Sequence, residues 1–454
     1  MVIIATSIIY QSFREYMGNP SDAALGAIVA AYVAGLAVGH IVQIFLGDFF
    51  GRRRYMQLMC IAAIIGTIFQ TAAQSYTMFL VGRIVIGAAT GGLSGTVAIY
   101  NSEISPPVSR GFIGGLTGFM FAFGSFLANW VGFACGYMPA TSTFQWRLPT
   151  SLQIPLSIIL FLGLQFFLPE SPRWLISLGR QDEARVAFRQ IQGNLSEVAL
   201  LKEFNDMREQ ILFEKSTGTR TFLEAWSKYK KRILILLFVH IMTALSGINI
   251  VNYYQPMLYS QLGIKSETVL VLAGIYGTVG LMANLPSIYL LDRFGRVKLL
   301  KWGMVALCID LIYCALMTRY FSGSDNNIGK GMAVLGIYMF TAIFHLGINS
   351  AIWLYSTEVL PVALRNKIVA LGLVLQYTCS VAVTESGPIA LANIGANFYY
   401  VFVATTFVSA VVISIYFPET KGKTLEEIAA SFGDKVVYSD DAMGIRDCIT
   451  EESK

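Results

Sequence analysis

The chain has 454 residues, of which 55% are hydrophobic and only 13% are charged, and its mean hydropathy is +0.59. Soluble domains carry about 25% charged residues, so this composition excludes a soluble globular protein and indicates an integral membrane protein. The net charge of +5 is small for this length and does not favour a nucleic-acid partner. Six cysteines lie mostly in apolar runs without the spacing of a metal site, so we expect no metal and no disulfide framework.

Eleven apolar runs are long enough to cross the membrane, whose hydrocarbon core is about 30 Å thick. The runs are continuous and lack the alternation of barrel strands, so they predict helices. A further apolar stretch, residues 1–10, is too short to span. In chain order the predicted spans are residues 25–46, 56–74, 78–100, 112–136, 152–168, 233–254, 268–290, 298–318, 331–355, 366–391 and 398–417.

The short connections between these spans differ in basic residues. One set carries Arg52, Arg53, Arg54, Arg110, Arg293, Arg296, Lys298, Lys301, Arg365 and Lys367. The alternating set carries only Arg147, Lys265, Arg319 and Lys330. Because Lys and Arg accumulate in cytoplasmic loops, the first set is predicted to be cytoplasmic. The polar segment 169–232 and the tail from residue 418 fall on the same side, so both termini are predicted to be cytoplasmic.

Three polar motifs occur twice in the same order. YNSEISPPVSR (100–110) and YSTEVLPVALR (355–365) share the pattern Tyr-x-x-Glu-x-x-Pro-x-x-x-Arg. GDFFGRRR (47–54) is paired with LDRFGRVK (291–298), and PES (169–171) with PET (418–420). Since all copies fall on one face, the two halves share one orientation and each holds six helices. The duplication therefore predicts two six-helix halves related by an axis along the membrane normal, as in major facilitator transporters.

The duplication also sets the expected limits of the halves. In the second half the first span begins near Ile233, which is 59 residues before Asp292; counting 59 residues back from Asp48 leads to about position −11. We therefore expect the first helix to be truncated at the N-terminus, which leaves eleven complete spans. The predicted domains are residues 1–168 (N-terminal transmembrane half), 169–232 (cytoplasmic loop with short helices), 233–417 (C-terminal transmembrane half) and 418–454 (cytoplasmic tail).

Further motifs add a family resemblance over nearly the whole chain. PESPRWL (169–175), PETKGKTLEEI (418–428), VGRIVIG (81–87) and LSGIN (245–249), with the two Gly-Arg loops, resemble the sugar porter family of the major facilitator superfamily. The resemblance is strongest to the fungal hexose and lactose permease-like branch. It implies an all-α major facilitator fold and a secondary transporter that works by alternating access.

Acids and bases at the cytoplasmic helix ends are predicted to form a gate. Charge-assisted hydrogen bonds among them can cross-link the two halves and hold the inner side closed until the halves rock. The alternative is solvated charge that only sets the topology. The predicted gate residues are Arg52, Arg53, Glu103, Arg110, Glu170, Arg173, Arg293, Arg296, Glu358, Arg365 and Glu419.

Neutral polar and aromatic side chains near the membrane centre are predicted to bind the substrate, since a sugar needs uncharged donors, acceptors and an aromatic face. The predicted set is Asn249, Trp353, Thr243, Tyr253, Tyr254, Asn349 and Gln376. For each polar member the alternative is a helix–helix hydrogen bond. The resemblance supports Asn249, Trp353, Tyr253 and Tyr254 in particular.

This chain departs from the family pattern at several of these positions. Thr243 and Ala244 stand where the family usually has two glutamines, Gly118 replaces another glutamine, and His345 replaces a small acid. Losing amides that bind substrate hydroxyls lowers discrimination. A hexose, another sugar, a disaccharide, a polyol or a sugar acid therefore stay open as substrates.

Proton coupling is predicted from the resemblance. In proton-coupled relatives an acid on the first helix faces the arginine of the Gly-Arg-Ile motif, here Arg83; the matching acid would precede Met1. The other coupling candidates in the predicted spans are Asp310, His345 and Glu385, since ionisable groups in membrane helices are usually functional. His40 and His240 are also buried candidates, although such histidines are more often satisfied core residues.

The predicted function is carbohydrate:proton symport across the plasma membrane, with no cofactor. A facilitative uniporter and a non-transporting sugar sensor on the same fold are the alternatives. No nucleophile elbow, P-loop lysine or HExxH motif occurs in the sequence, so an enzyme is not predicted.

Overall fold

The computed structural model describes residues 3–105, 110–139, 141–192, 196–217, 222–264, 266–360, 362–423, 428 and 432. Within these residues the backbone is helical almost throughout, and no β-strand occurs among them. The chain opens with two short helices, α1 (Ile3–Ser7) and α2 (Gln11–Tyr16).

The first half continues with four long helices and one broken helix. They are α3 (Asp22–Phe50), α4 (Arg52–Thr71), α5 (Tyr76–Ile104), α6 (Arg110–Gly136), and α7 (Phe144–Ser151) followed directly by α8 (Gln153–Phe166). Serines begin two of these helices: Ser21 Oγ accepts the N–H of Ala24 at 3.3 Å, and Ser75 Oγ accepts that of Met78 at 3.2 Å. These bonds satisfy first-turn amides that have no partner within the helix.

Three shorter helices connect the halves: α9 (Pro172–Ser177), α10 (Gln181–Ile191) and α11 (Glu197–Thr217). They share a small apolar core of their own, in which Trp174, Phe188 and Phe204 are buried. Other apolar residues of α10 and α11, Val186 and Val198 among them, are exposed, so part of each of these two helices lies outside this core.

The second half contains the remaining helices. They are α12 (Phe222–Ala244), α13 (Ile248–Gln261), α14 (Ser266–Phe294), α15 (Arg296–Phe321), α16 (Asn327–Phe344), a π-helical turn (His345–Asn349), α17 (Ser350–Glu358), α18 (Val362–Ile394) and α19 (Phe398–Tyr416). Gly247 separates α12 from α13 with a left-handed φ of 89°. In the π turn, Asn284 Nδ2 donates to the carbonyl oxygen of His345 at 3.2 Å, which satisfies an acceptor in the widened turn.

Ten of the eleven predicted spans coincide with helices that are long and apolar enough to cross a membrane. Among the described residues, nine helical stretches are long and apolar enough to cross a membrane, and one of them, 364–416, contains both α18 and α19. The span predicted at 56–74 corresponds to α4, a 20-residue helix whose first three residues are arginines. These arginines lower its mean hydropathy, although its remaining residues form a continuous apolar helix.

The halves meet along two seams between long helices. In the first seam α3 packs on α18, from Gly26 beside the backbone of Glu385 to Gly47 beside Asn366. In the second seam α6 packs on α14, and Gly115 approaches the Cα of Ile288. Glycine lets helix backbones approach closely in a membrane, where van der Waals packing drives association. The α3–α18 seam is therefore closed at both of its ends.

Two glycines make equivalent sharp turns, Gly51 between α3 and α4 and Gly295 between α14 and α15. Their φ angles are 85° and 94° with ψ near the extended range, at 169° and 162°. A Cβ at Gly51 would lie 2.8 Å from Glu170 Oε2, and a Cβ at Gly295 would lie 2.6 Å from Glu419 Oε2. Both the backbone angles and the close carboxylates therefore require glycine.

The Gly295 turn gives a first testable prediction. Gly295→Ala should lower stability by about 1–3 kcal/mol, the cost of holding a non-glycine residue at these angles, and should displace the Glu419 carboxylate. The control is Gly331→Ala, since Gly331 lies in α16 with open space around it, where alanine should be neutral or stabilising by about 0.5–1 kcal/mol. Thermal unfolding of the detergent-purified proteins measures both. Equal melting temperatures for Gly295→Ala and wild type would contradict the prediction.

Candidate functional site

The first-half copies of the duplicated motifs form one buried ion-pair cluster. Arg52 Nη2 and Nε bind the two oxygens of Glu103 at 3.0 and 3.2 Å, and Arg52 Nη1 binds Asp48 at 2.7 Å. Arg52 and Glu103 are 7% and 8% exposed. The carboxylate of Glu170 accepts the backbone N–H groups of Arg52 and Arg53 at 2.9 and 3.1 Å. Glu170 thus caps the first turn of α4, where a negative charge is favoured.

The second-half copies form the same cluster. Arg296 Nη2 binds Glu358 at 3.1 Å, and Arg296 Nη1 lies 3.4 Å from Asp292. Glu419 accepts the backbone N–H groups of Arg296 and Val297 at 2.9 and 3.1 Å, capping α15. The duplication in sequence is therefore a duplication in contacts.

The tyrosine that opens each long motif belongs to these clusters. Tyr100 Oη donates to the carbonyl of Pro169 at 2.8 Å, and Tyr355 Oη donates to that of Pro418 at 3.1 Å. The proline in each case precedes the capping glutamate. The tyrosines therefore fix the backbone from which Glu170 and Glu419 reach the helix ends. We call the face of the bundle that carries both clusters the motif face.

The described ion pairs of the motif face lie within a half, and hydrogen bonds cross between the halves. Arg365, which is 2% exposed, donates to Ser102 Oγ at 3.4 Å, and Gln43 Nε2 donates to Asn366 Oδ1 at 3.2 Å. These contacts join α18 to α5 and to α3. They close the motif face beside the two clusters.

The other predicted gate residues lie around the clusters. Arg53 Nη2 donates to the carbonyl of Gln165 at 2.9 Å. Arg293 is exposed, and its carbonyl accepts Lys421 Nζ at 2.7 Å. Arg173 lies partly buried in the first turn of α9. The side chain of Arg110 lies outside the described residues.

Two asparagines near the middle of the bundle use their amide nitrogens within the protein. Asn249 Nδ2 in α13 donates to Ser380 Oγ in α18 at 2.8 Å. Asn349 Nδ2 donates to the carbonyl of Gly118 in α6 at 3.1 Å. Both asparagines are partly exposed, and their Oδ1 atoms make no hydrogen bond in the described part of the chain. Each therefore retains one free acceptor.

Two further amides use their oxygens instead. Asn252 Oδ1 accepts from Tyr276 Oη at 2.6 Å, and Gln376 Oε1 lies 2.7 Å from His240 Nδ1. Asn252 and Gln376 are also partly exposed, and their amide nitrogens are unpaired as far as the structure describes the chain. Each therefore retains free donors.

The other predicted substrate-binding residues are hydrogen-bonded to backbone carbonyls, buried, or stacked on a neighbouring ring. Thr243 Oγ1 donates to the carbonyl of Val239 in its own helix at 2.7 Å, and Tyr254 Oη donates to the carbonyl of Thr384 at 2.8 Å. Tyr253 is 4% exposed. The indole of Trp353 stacks on Phe121 of the other half, with ring centroids 5.3 Å apart and planes 11° apart.

The predicted coupling residues lie in different elements. Arg83 in α5 is 3% exposed; its Nε donates to the carbonyl of Ile28 at 3.3 Å and its guanidinium lies 4.5 Å from the centroid of the Tyr32 ring. Asp310 in α15 is 2% exposed, and the one described hydrogen bond of its side chain comes from Cys314 Sγ, 3.9 Å from Oδ2. Arg83 Nη2 and Asp310 Oδ1 are buried without a described hydrogen-bond partner.

The two remaining coupling candidates have backbone neighbours. His345 Nδ1 lies 2.9 Å from the carbonyl oxygen of Thr341. Glu385 is partly buried in α18, and its carbonyl faces Gly26. Among the residues that the structure describes, no hydrogen bond or ion pair joins any two of Arg83, Asp310, His345 and Glu385.

The sequence identified His40 and His240 only as buried coupling candidates, without indicating their contacts in this region. His240 bonds to Gln376, and the ring of His40 stacks on Tyr377 with centroids 5.3 Å apart. His240 precedes Thr243 by one helical turn, so its position on the same face of α12 was the available signal. Asn252 follows Asn249 by three residues, on the polar surface that the sequence already indicated for this helix.

Comparison with known proteins agrees with this architecture. Residues 2–432 match the family model described as "Sugar (and other) transporter". The chain is 33% identical to the MFS-type transporter criB of Aspergillus cristatus over 437 residues, covering 95% of this chain and 89% of that protein. It is 27% identical to the high-affinity glucose transporter of Kluyveromyces lactis, covering 93% and 80%.

A solved structure shows the same fold. The proton:xylose symporter XylE from E. coli, bound to 6-bromo-6-deoxy-D-glucose, superposes with a TM-score of 0.83 at 23% identity, covering 95% of each chain. The helix order, the paired motif clusters and these matches lead to one assignment. The chain is a multi-pass membrane protein of the sugar (and other) transporter family, with the major facilitator fold.

Proposed function

We propose that this protein is a secondary transporter of a small, neutral, polyhydroxylated compound of the sugar or polyol class. The observation that carries the proposal is a set of four side-chain amides, each of which uses only its oxygen or only its nitrogen in a described hydrogen bond within the protein. Asn249 and Asn349 each leave an oxygen free, whereas Asn252 and Gln376 each leave a nitrogen free.

A polyol matches this set because each hydroxyl both donates and accepts a hydrogen bond. The amides carry no charge, so they favour an uncharged substrate over an anion. Because the inner end of each amide is fixed by a neighbouring helix, its outer end is held in position before the substrate arrives. Trp353, stacked on Phe121, would supply the apolar surface that such sites combine with a few polar groups.

The duplicated clusters support alternating access between two rigid halves, proposed as residues 1–168 and 233–417. We place the motif face, the loop 169–232, the tail from residue 418 and both termini in the cytoplasm, since this face carries most of the basic loop residues. We propose that this membrane is the plasma membrane. The Arg365–Ser102 and Gln43–Asn366 contacts would then separate when the site opens inward.

The main experiment is uptake in a host lacking its own sugar transporters. Labelled D-glucose, D-xylose and myo-inositol are the probes, and membrane insertion is measured in parallel. We expect saturable uptake of at least one probe, which a non-transporting sensor would not give. Normal insertion without saturable uptake of any of the three would refute the proposal.

We also infer that transport is coupled to protons, as the name of XylE states for that protein. Asp310 supports this inference because its carboxylate is buried with one oxygen unpartnered in the described structure. Intramembrane ionisable groups are expensive and usually functional. A uniporter with a structural Asp310 is the competing interpretation.

Asp310→Asn tests the coupling. If Asp310 carries the proton, the variant should lose accumulation against a gradient, by about tenfold or more, while exchange of labelled for unlabelled substrate continues, because the site itself is intact. Cells with and without a protonophore provide the measurement, and Asp325→Asn, at an exposed acid between α15 and α16, is the matched control. Full accumulation by Asp310→Asn that a protonophore still abolishes would place the coupling residue elsewhere.

A further inference from the structure

His240 and Gln376 form a hydrogen bond between α12 and α18 in the middle of the second half. His240 is completely buried, and its Nδ1 lies 2.7 Å from Gln376 Oε1. An amide oxygen can only accept a hydrogen bond, so Nδ1 of His240 must carry the proton. The contact therefore fixes both the tautomer of the histidine and the orientation of the amide.

The histidine ring is held by its surroundings. A Cβ at Gly372 in α18 would lie 2.5 Å from His240 Cδ2 and 2.7 Å from a methyl group of Leu236. The ring thus lies directly against the α18 backbone, in space that glycine leaves open. Its Nε2 is buried without a described partner, so the ring is unable to present this atom to a substrate without moving the helices.

Gln376 differs from His240 in being partly exposed. With Oε1 held by His240, the Nε2 amino group of Gln376 is the end left free for the transport pathway. Nearby positions of α12 offer no replacement: Thr243 is hydrogen-bonded to its own helix, and Ala244 has no polar group. At this level α12 therefore contributes a polar contact indirectly, through the hydrogen bond that His240 makes to Gln376.

We propose that His240 is a positioning residue that holds Gln376 as a hydrogen-bond donor to the substrate. The site then selects a substrate with an acceptor oxygen, such as a hydroxyl or ring oxygen, at the position facing Gln376 Nε2. This proposal rests on the proposed transport of polyhydroxylated compounds and assigns one specificity contact within it.

The first test is spectroscopic and needs no substrate. The chain has three histidines, so ¹⁵N-histidine labelling of the full chain in lipid gives three imidazole signals. We expect the Nδ1–H tautomer for His240, a signal that Gln376→Leu shifts and that His240→Asn removes. An Nε2–H tautomer, or a signal unchanged in Gln376→Leu, would overturn the contact.

The second test measures uptake kinetics of D-glucose, D-xylose and myo-inositol. His240→Leu should raise the half-saturation concentration about fivefold to tenfold with a smaller change in maximal rate, as expected for loss of one hydrogen bond. His240→Asn should restore it, because the Asn amide nitrogen can occupy the position of Nδ1, whereas His240→Gln should not. Thr378→Ala, on the exposed side of α18, is the control.

A double-mutant cycle separates positioning from general packing. If His240 acts through Gln376, His240→Leu should have almost no further effect in a Gln376→Leu background. An additive effect would overturn the positioning role. Absence of uptake by wild type together with the expected tautomer would refute the transport proposal while leaving the contact intact, so the two failures are distinguishable.

Discussion

Asn249→Ala is expected to raise the half-saturation concentration for the transported probe by about tenfold to a hundredfold, with normal amounts of protein in the membrane. The substitution removes the free Oδ1 and the bond to Ser380 together. A site built to hydrogen-bond a hydroxyl loses affinity when the contact is left unpaired, because the substrate group has then lost water without a replacement. Uptake kinetics in the transporter-deficient host provide the measurement.

Two matched variants show which atom matters. Ser380→Ala removes the partner of Asn249 but leaves Oδ1, so it should raise the half-saturation concentration only about twofold to threefold, as expected for a lost orienting bond. Asn327→Ala changes an exposed asparagine in the first turn of α16 and should leave the kinetics unchanged. If Asn249→Ala matches Asn327→Ala for every transported probe, the free oxygen of Asn249 does not bind substrate.

Glu358→Ala should lower stability by about 3–5 kcal/mol, more than Gly295→Ala in the same cluster, since it leaves a buried arginine without its main carboxylate. Glu358 and Arg296 are each 5% exposed. Glu358 also accepts a hydrogen bond from Thr420 Oγ1 at 2.7 Å. Loss of the Glu358 carboxylate would therefore also detach Thr420, which follows the capping Glu419, from the cluster. Thermal unfolding of the detergent-purified protein measures the effect, and Glu103→Ala should behave alike in the first half.

The control for this prediction is an exposed ion pair of similar geometry. Arg180 and Glu183 lie 2.5 Å apart with side chains 42% and 58% exposed. Glu183→Ala should change stability by less than about 1 kcal/mol, because solvent screens exposed pairs. If Glu358→Ala and Glu183→Ala had equal melting temperatures, the buried Arg296–Glu358 pair would contribute no more to stability than the exposed Arg180–Glu183 pair, which would contradict the prediction.

The repeated motifs made much of the motif face predictable. Tyr, Glu and Arg recur at fixed offsets, and the Gly-Arg and Pro-Glu pairs recur in the same order, so equivalent positions at the helix ends of the two halves were expected from the sequence. The sequence did not indicate which acidic residue pairs with which basic residue. Both halves contain both charges, and only the helix positions show that Arg52 pairs with Glu103 rather than with Glu358.

The central region was harder to predict because its partners are far apart in the chain. Asn249 and Ser380 are 131 residues apart, and His240 and Gln376 are 136 apart. The sequence around a single asparagine or histidine in an apolar run looks the same whether its side chain binds a substrate or a neighbouring helix. Whether the oxygen or the nitrogen of each amide stays free depends on how α6, α12, α13, α14, α18 and the π turn pack together, which periodicity does not encode.

The π turn at His345–Asn349 has a consequence for the orientation of the helix that follows it. An α-helix advances about 100° per residue, so one additional residue in a regular turn would rotate everything beyond it by that angle, whereas a π turn closes from i to i+5 and takes up the additional residue. Trp353 and Glu358 both follow the turn in α17. The widened turn thus sets the angular register in which the tryptophan meets Phe121 and the glutamate meets Arg296. Deleting one residue from it should therefore convert the turn to regular α-helix and leave both side chains facing their partners.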